Sequence, residues 1–437
     1  MTSTASRACD VLVVGGGAVG SALACALAEL PLDTVLVEAQ QARQLAQPGF
    51  DARVTALANG SQQILAALGL WRDLKGYTEA IHTIHISERG RFGAARIAAA
   101  EEGVPALGYT VENQALGRVL WERLQRAPRL TVFAPARVTE LVREPDAALV
   151  TVEQDGAKLS VRAKLVVAAD GARSAIRAAL GVAVDEHDYE QCAVIFNCAA
   201  AAPLAARAFE RFTERGPIAL LPLSGGRAAV IWTLPAADAR RIAALPDAEF
   251  AAELMSAFGS RLGRFTRIGE RHLYPLARVA SDTIHGERVV LIGDAALRLH
   301  PVAGQGFNLA LRDVATLAEV IADTLLAGRA AGAGVDADMD VRGRAMQGAI
   351  ADVGAAAVLE RYAAWRAADR RRVSAFTHGL IELFGESAPG LGVGRGIGLM
   401  AFDLLPGAKA LLARQTMGKA GRLPRLARGL PLLAGEP

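Results

Sequence analysis

Gly15, Gly17 and Gly20 form a GxGxxG motif directly after an apolar run, residues 11–14, that suits a strand covered on both faces. The chemistry such a turn serves is the cradling of a pyrophosphate. Gly15 permits the tight turn, Gly17 lets backbone approach the phosphates, and Gly20 lets the next helix pack on the strand. That helix, residues 18–30, begins at Ala18 and Val19 and offers unpaired N–H groups and a partial positive charge to an anion. Glu38 closes a second β-rich run, residues 34–37, where an acid can accept hydrogen bonds from a ribose diol. The segment reads as a βαβ unit, right-handed by default. On its own the motif specifies an ADP-containing dinucleotide and fits NAD as well as FAD.

Two further motifs choose between them. LVVAADGARSAIRAALG (residues 165–181) sets Asp170 and Gly171 after a buried strand and ahead of a helical run. An aspartate there also caps a helix, so this motif alone leaves both a cofactor contact and a plain cap open. VVLIGDAALRLHPVAGQGFNLALRDVATLAEVI (residues 289–321) combines a strand, an aspartate, a Pro-Gly loop and a long helix. Asp294 can bind a ribityl hydroxyl. Gly304 and Gly306 let backbone lie against a flat ring, and Pro301 fits as a rigid wall beside it. The helix from about Phe307 and Asn308 points its N-terminus at that ring, where a reduced flavin carries negative charge along its N1–C2=O edge. Three motifs in this order predict FAD. His300 is a tempting proton acceptor, but a histidine between strand and loop is more often structural.

These motifs need a scaffold, and 437 residues suffice for two or three domains. Apolar residues at 52% and charged residues at 21% exclude global disorder. A net charge of +3 and 5% aromatics give no footing for nucleic acid. Cys9, Cys25, Cys192 and Cys198 lack CxxC spacing, which disfavours both a metal site and a disulfide framework. His82 and His85, three apart in a β-like stretch, face opposite ways, so no metal is expected there either. No stretch reaches the ~18 apolar residues of a spanning helix, and the start of the chain shows no basic, long-apolar leader. The expectation is a cytoplasmic protein, peripheral at the inner membrane face.

The fold class predicted is α/β: a Rossmann-like FAD-binding domain, an interleaved antiparallel β-sheet substrate domain and a C-terminal helical region. The FAD-binding domain takes residues 1–75, 101–182 and 275–345. Residues 76–100 and 183–274 form the substrate domain, and 346–437 the helical region with a basic tail. Residues 60–70 read as a helix and 151–169 as a hairpin feeding a buried strand. Residues 328–340, rich in Gly, Ala and Asp, read as a loop between helices. An apolar substrate wall is expected from Ile195, Phe196, Ile218, Leu220, Leu221, Ile231 and Trp232.

The chain resembles the class A flavoprotein monooxygenases, aromatic hydroxylases with a para-hydroxybenzoate-hydroxylase-like fold. PGFDARVTALANGSQQILAALGLW (residues 48–71), YTVENQALGRVL (109–120) and HPVAGQGFNLALRDV (300–314) carry the likeness. HISERG (85–90), YEQCAVIFN (189–197), AFERFTERGPIALLP (208–222), SAFGSRLG (256–263) and VGRGIGLM (393–400) narrow it to the ubiquinone-biosynthesis hydroxylases. The resemblance implies that Arg53 lies near flavin or substrate and that Asn113 contacts the ribityl–phosphate arm. It assigns Asp294 to the ribityl chain, and Gly306 with Phe307 to the pyrimidine edge. Leu297 and Arg298 depart from the family's polar residues, and Ala310 from its glycine.

The resemblance further implies that NAD(P)H reduces FAD, that O2 forms a flavin C4a-hydroperoxide, and that the ring of a polyprenyl phenol of the 2-polyprenyl-6-methoxyphenol type is hydroxylated. The catalytic vicinity would hold Arg53, His300 and Pro301. Such a substrate lives in the bilayer. Residues 395–437 carry Arg395, Lys409, Arg414, Lys419, Arg422, Arg425 and Arg428 against Asp403 and Glu436; this tail could meet a membrane surface, dock on other ubiquinone-biosynthesis proteins, or simply be solvated. A soluble hydroxylase of a small phenolic compound, and a flavin-bearing non-catalytic subunit, remain as alternatives.

Overall fold

The computed structural model describes residues 5–41, 54–300, 304–333, 351–385, 403 and 405–433. Strand Ala5–Val14 lies inside the first sheet, with parallel neighbours on both sides: Val13 pairs with Leu36 and with Val167. Thr34–Val37 continues to Leu130–Phe133, and Ala157–Ala168 to Val289–Leu291, all parallel. Val11, Leu12 and Val13 are fully buried, as the unbroken apolar run requires. Ala148–Gln154 reaches Ala157–Ala168 through Asp155 and Gly156, at φ 51° and 78°. Two left-handed residues are what a tight hairpin of matching twist needs. Helices Ala18–Leu27 and Gln305–Ala333 pack on each other over this sheet.

Among the described residues the second sheet has nine strands. His272–Ser281, Val184–Ala200, Arg227–Pro235, Gly216–Leu223 and Arg207–Thr213 run antiparallel in that order. Of the two sequence blocks expected to form one antiparallel sheet, Thr83–Glu88 and Ala94–Ala98 of the first join the second block but Thr78–Ile81 does not. The junction is parallel: Arg207–Thr213 pairs with Thr83–Glu88 from Arg207↔Thr83 onward. Strand His272–Ser281 spans the expected boundary at 274/275 and pairs along its length with Val184–Ala200. A third, small antiparallel sheet joins Val54–Ala58, Gly108–Glu112 and Thr78–Ile81.

Strand alternation gives the second sheet two apolar faces. Val194, Phe196, Ile218, Leu220, Val230 and Trp232 turn outward into a core with helices Ala236–Ala243 and Asp247–Phe258. Phe250 stands edge-on to Phe196, ring centroids 4.8 Å apart. The residues between them turn to the opposite face, away from those helices.

The C-terminal region holds helices Ala356–Gly385 and Pro406–Thr416, but residues 417–433 are turns and coil apart from the short 3-10 turn Leu426–Arg428. The chain then returns to the body: Gly60 N donates to Met417 O at 2.9 Å, and Leu426, Ala427 and Leu432 join the main core. The loop expected over 328–340 is helix as far as Ala333, and 334–340 lies outside the described residues. Gly328 fits that helix because it makes room for Ala351, whose Cβ would stand 2.7 Å from an added Cβ. All four cysteines are buried and unpaired. No described helix is long and apolar enough to cross a membrane, and no described group of His, Cys, Asp or Glu could hold a metal.

Candidate active site

A cavity of about 1060 Å3 is lined by strands of the second and third sheets and by the loops and helix starts that follow strands of the first. One end is made by the predicted phosphate and flavin segments: Gly17, Ala18, Val19, Asn113, Asp294, Gly304, Gly306, Phe307 and Asn308. The other end is the inward face of the second sheet. Of the apolar wall read from sequence, Ile195, Leu221 and Ile231 line the cavity. Phe196, Ile218, Leu220 and Trp232 do not; strand alternation turns them to the helix-packed face. Gly15, Gly20, Glu38, Asp170 and His300 stand behind the lining. Arg53 and Pro301 lie outside the described residues.

The glycines divide by what surrounds them. Gly15 takes φ 103°, and a Cβ there would be 2.4 Å from Ala169 O. Gly17 and Gly306 have nothing within 4 Å of an added Cβ. The first kind shapes the turn, and the second leaves open ground for a ligand. Glu38 braces the loop: Oε2 accepts from Gly16 N at 2.5 Å and Oε1 from Gln40 N at 2.7 Å. Asp170 caps a helix, Oδ2 accepting from Ala175 N at 2.8 Å, while its buried Oδ1 has no partner. Arg177 joins this motif to the next, donating to Ala172 O at 2.6 Å and Ala295 O at 3.0 Å.

Asp294 is exposed to the cavity, where desolvation pushes its carboxyl up and the Arg298 guanidinium opposes this. Its turn is anchored from behind. Asp313 Oδ2 accepts from Gly293 N at 3.2 Å, and Oδ1 accepts from Arg366 Nε at 2.6 Å. Arg366 Nη1 and Arg312 Nε share Asp369 Oδ2 at 2.6 and 2.8 Å. Burial alone would lower the Arg366 pKa, but Asp313 and Asp369 outweigh it and the net shift is upward. Asn308 is a clamp: Oδ1 accepts from Ala58 N at 2.8 Å, and Nδ2 donates to Ala56 O and Gly304 O. Asn113 accepts from Thr55 Oγ1 at 2.6 Å.

The two unusual residues have separate explanations. Leu297 is packed with Leu299, Leu309 and Val373, so an apolar side chain suits its place. Arg298 lines the cavity and donates to Pro275 O at 3.2 Å. His300 is 1% exposed, meets the Tyr189 ring edge-on at 5.0 Å, and lies 3.3 Å from Gln191 Oε1. Burial pushes its pKa down to about 4, so it is neutral at pH 7. Sequence reasoning missed Glu210, Tyr274, Phe376, Leu412 and Thr416 in the lining; the last three come from the C-terminal helices, whose docking leaves no local signature.

This donor set fits an FAD. Open ground at Gly17 meets a helix start, the Asp170 carboxylate has an unused buried oxygen, Asp294 can accept from hydroxyls, and Gly306 leaves backbone bare at a second helix start.

Residues 8–352 match the family described as the FAD binding domain. The chain is 37% identical to the ubiquinone hydroxylase UbiL of Rhodospirillum rubrum over 99% of its own length and 95% of that protein's. It is 31% identical to the 3-demethoxyubiquinol 3-hydroxylase of Escherichia coli over 74% of this chain and 81% of that one. The solved p-nitrophenol 4-monooxygenase PnpA of Pseudomonas putida shares the fold, with a TM-score of 0.74 over 96% of this chain and all of that one at 19% identity. By class the protein is a FAD-dependent aromatic hydroxylase. The chain belongs to the FAD binding domain family and, within it, to the ubiquinone hydroxylase subgroup.

Proposed function

We propose that the protein hydroxylates the aromatic ring of a polyprenyl phenol, of the 2-polyprenyl-6-methoxyphenol type, in ubiquinone biosynthesis, with NAD(P)H and O2 as co-substrates. The observation that carries this reading is the shared cavity: the segments suited to a flavin ring and an apolar sheet face open into one space. Bound FAD supplies the redox chemistry and activates oxygen. The chain's own residues do the rest. Gly17 and the helix start receive the pyrophosphate, Glu38 holds the phosphate loop, and Asp294 accepts from the ribityl hydroxyls. Asn113 contacts the same arm, and Gly304, Gly306 and Phe307 lie against the ring. Asp170 lends its free oxygen to the cofactor side, while His300 acts by packing. Arg53 and Pro301 belong to the flavin vicinity by resemblance alone.

Ile195, Leu221, Ile231 and Leu412 exclude water and take up the prenyl chain. Contact with a membrane surface is part of the proposal. Helix Pro406–Thr416 sends Leu412 and Thr416 into the cavity, while Leu411 is 70% and Leu405 58% exposed. Several tail cations are already engaged: Lys409 with Glu101, Arg425 with Glu319 and Asp323, and Arg422 over the Trp365 ring. The contact is therefore assigned to these leucines more than to charge. Incubating FAD-loaded protein with NAD(P)H, air and a short-chain prenyl methoxyphenol, then weighing the product, tests the reading. A gain of one oxygen supports it; full flavin occupancy without gain favours a non-catalytic subunit, and exclusive turnover of small phenolic acids favours the soluble hydroxylase.

A further inference from the structure

We propose that Glu210 is the acceptor for the hydroxyl proton of the phenolic substrate; this rests on the ring-hydroxylation reading and names the group that activates the ring. Glu210 lies mid-strand in Arg207–Thr213, and sheet register decides where it points. It pairs with Ile86 on one side and Ala219 on the other. The row continues to Ala95 beyond Ile86, and through Ile231 to Ile195 beyond Ala219. Partners across a sheet share a face, and all six residues line the cavity. One carboxylate thus stands in a row of five aliphatic side chains.

That placement has no structural explanation. Setting a carboxylate among apolar groups is costly unless it is paired, and no side-chain hydrogen bond or ion pair reaches Glu210 among the described residues. The side chain is partly exposed and borders the cavity. Burial alone pushes its carboxyl up to about 7. Tyr274, Asp294 and Arg298 also line the cavity, and none of them contributes to that shift.

A phenol has a pKa near ~10, so in the resting complex the proton stays on the phenol and is shared with the carboxylate. The ring carbon forms its C–O bond as the O–O bond of the flavin-activated oxygen breaks, the second oxygen leaving to become water with the electrons that NAD(P)H supplies. In the same step the phenolic O–H bond breaks. Its proton passes to a Glu210 oxygen, and its electron pair moves into the ring. The same contact selects for a hydroxylated ring over an otherwise equal hydrocarbon.

The test uses FAD-loaded protein and two probes, a short-chain prenyl methoxyphenol and its O-methyl ether, titrated by the change each makes in the flavin spectrum. At about pH 8.5 the wild type is expected to bind the phenol roughly tenfold more tightly than the ether, as a hydrogen bond to a charged acceptor allows. At about pH 5.5, below the Glu210 range, that preference should shrink towards parity. Glu210→Leu should abolish it at both values with FAD content intact. Glu210→Gln should leave a weaker, pH-independent preference and slow product formation by about tenfold or more, and Glu210→Asp should restore the pH inflection. Equal binding of both probes by the wild type, or full preference in Glu210→Leu with full FAD, overturns the proposal. Preference that tracks Glu210 without oxygen entering the ring would uphold the acceptor and reject ring hydroxylation.

Discussion

Gly20 sits so close to Gly15 that a Cβ on it would stand 1.9 Å from the Gly15 carbonyl oxygen. Gly17, between them in sequence, has nothing within 4 Å. One motif therefore contains two kinds of glycine. Gly20→Ala must push helix from loop and should cost about 2 kcal/mol or more, read as a lower urea midpoint. Gly17→Ala, at φ −61°, should keep the midpoint and lose FAD, read as flavin per polypeptide after gel filtration. Equal flavin content in Gly17→Ala and wild type would remove the pyrophosphate from this turn.

The Asp313–Arg366 pair ties the C-terminal helix to the turn carrying Asp294. Both side chains are 3% exposed, and losing one partner leaves the other charged and buried. Arg366→Met should destabilise by about 3–5 kcal/mol, with Arg366→Lys recovering little because an ammonium lacks the planar fork that bridges Asp313 and Asp369. A change below about 1 kcal/mol in the denaturation curve would mean the network is decorative.

His85 and His300 are both held near pKa 4, chiefly by burial, against about 6.5 in an unfolded chain. Between these values the unfolded state binds more protons, so stability falls as pH falls. Stability from this source is complete above about pH 6.5 and lost by about pH 4, on the order of 3 kcal/mol for each histidine. Urea midpoints at about pH 7.5 and 5 should therefore differ, and His300→Gln should shrink the difference. An unchanged slope in that variant would contradict the buried, neutral state.

Deleting the tail is a poor test of membrane contact, since Leu426, Ala427 and Leu432 are core residues. Leu405→Glu with Leu411→Glu alters only exposed positions. This double variant should keep FAD and fold while sedimenting about tenfold less with anionic vesicles. Undiminished sedimentation would place the contact elsewhere.

The cofactor end was legible because its glycines and aspartates answer to local rules. A turn, a helix start and a strand end each leave a mark within a few residues. The hairpin at Asp155 and Gly156 was legible for the same reason. Glu210 was not, because in AFERFT it reads as the outward polar residue of a half-buried strand. Only register, including the parallel junction with Thr83–Glu88, turns it into the cavity. Asn308 carries a duty the sequence does not show: it lines the cavity at the flavin segment, and its amide also holds Ala56, Ala58 and Gly304. The seven apolar residues chosen as the substrate wall showed a buried sheet but not its phase, so four belong to the other face.

The most direct measurement follows labelled oxygen. FAD-loaded protein is given NAD(P)H, isotope-labelled O2 and a short-chain prenyl methoxyphenol, and the organic product is weighed. The account predicts one labelled oxygen on the aromatic ring for each molecule of product. Consumption of NAD(P)H by fully flavinated protein, with peroxide formed and the phenol returned unchanged, would contradict it.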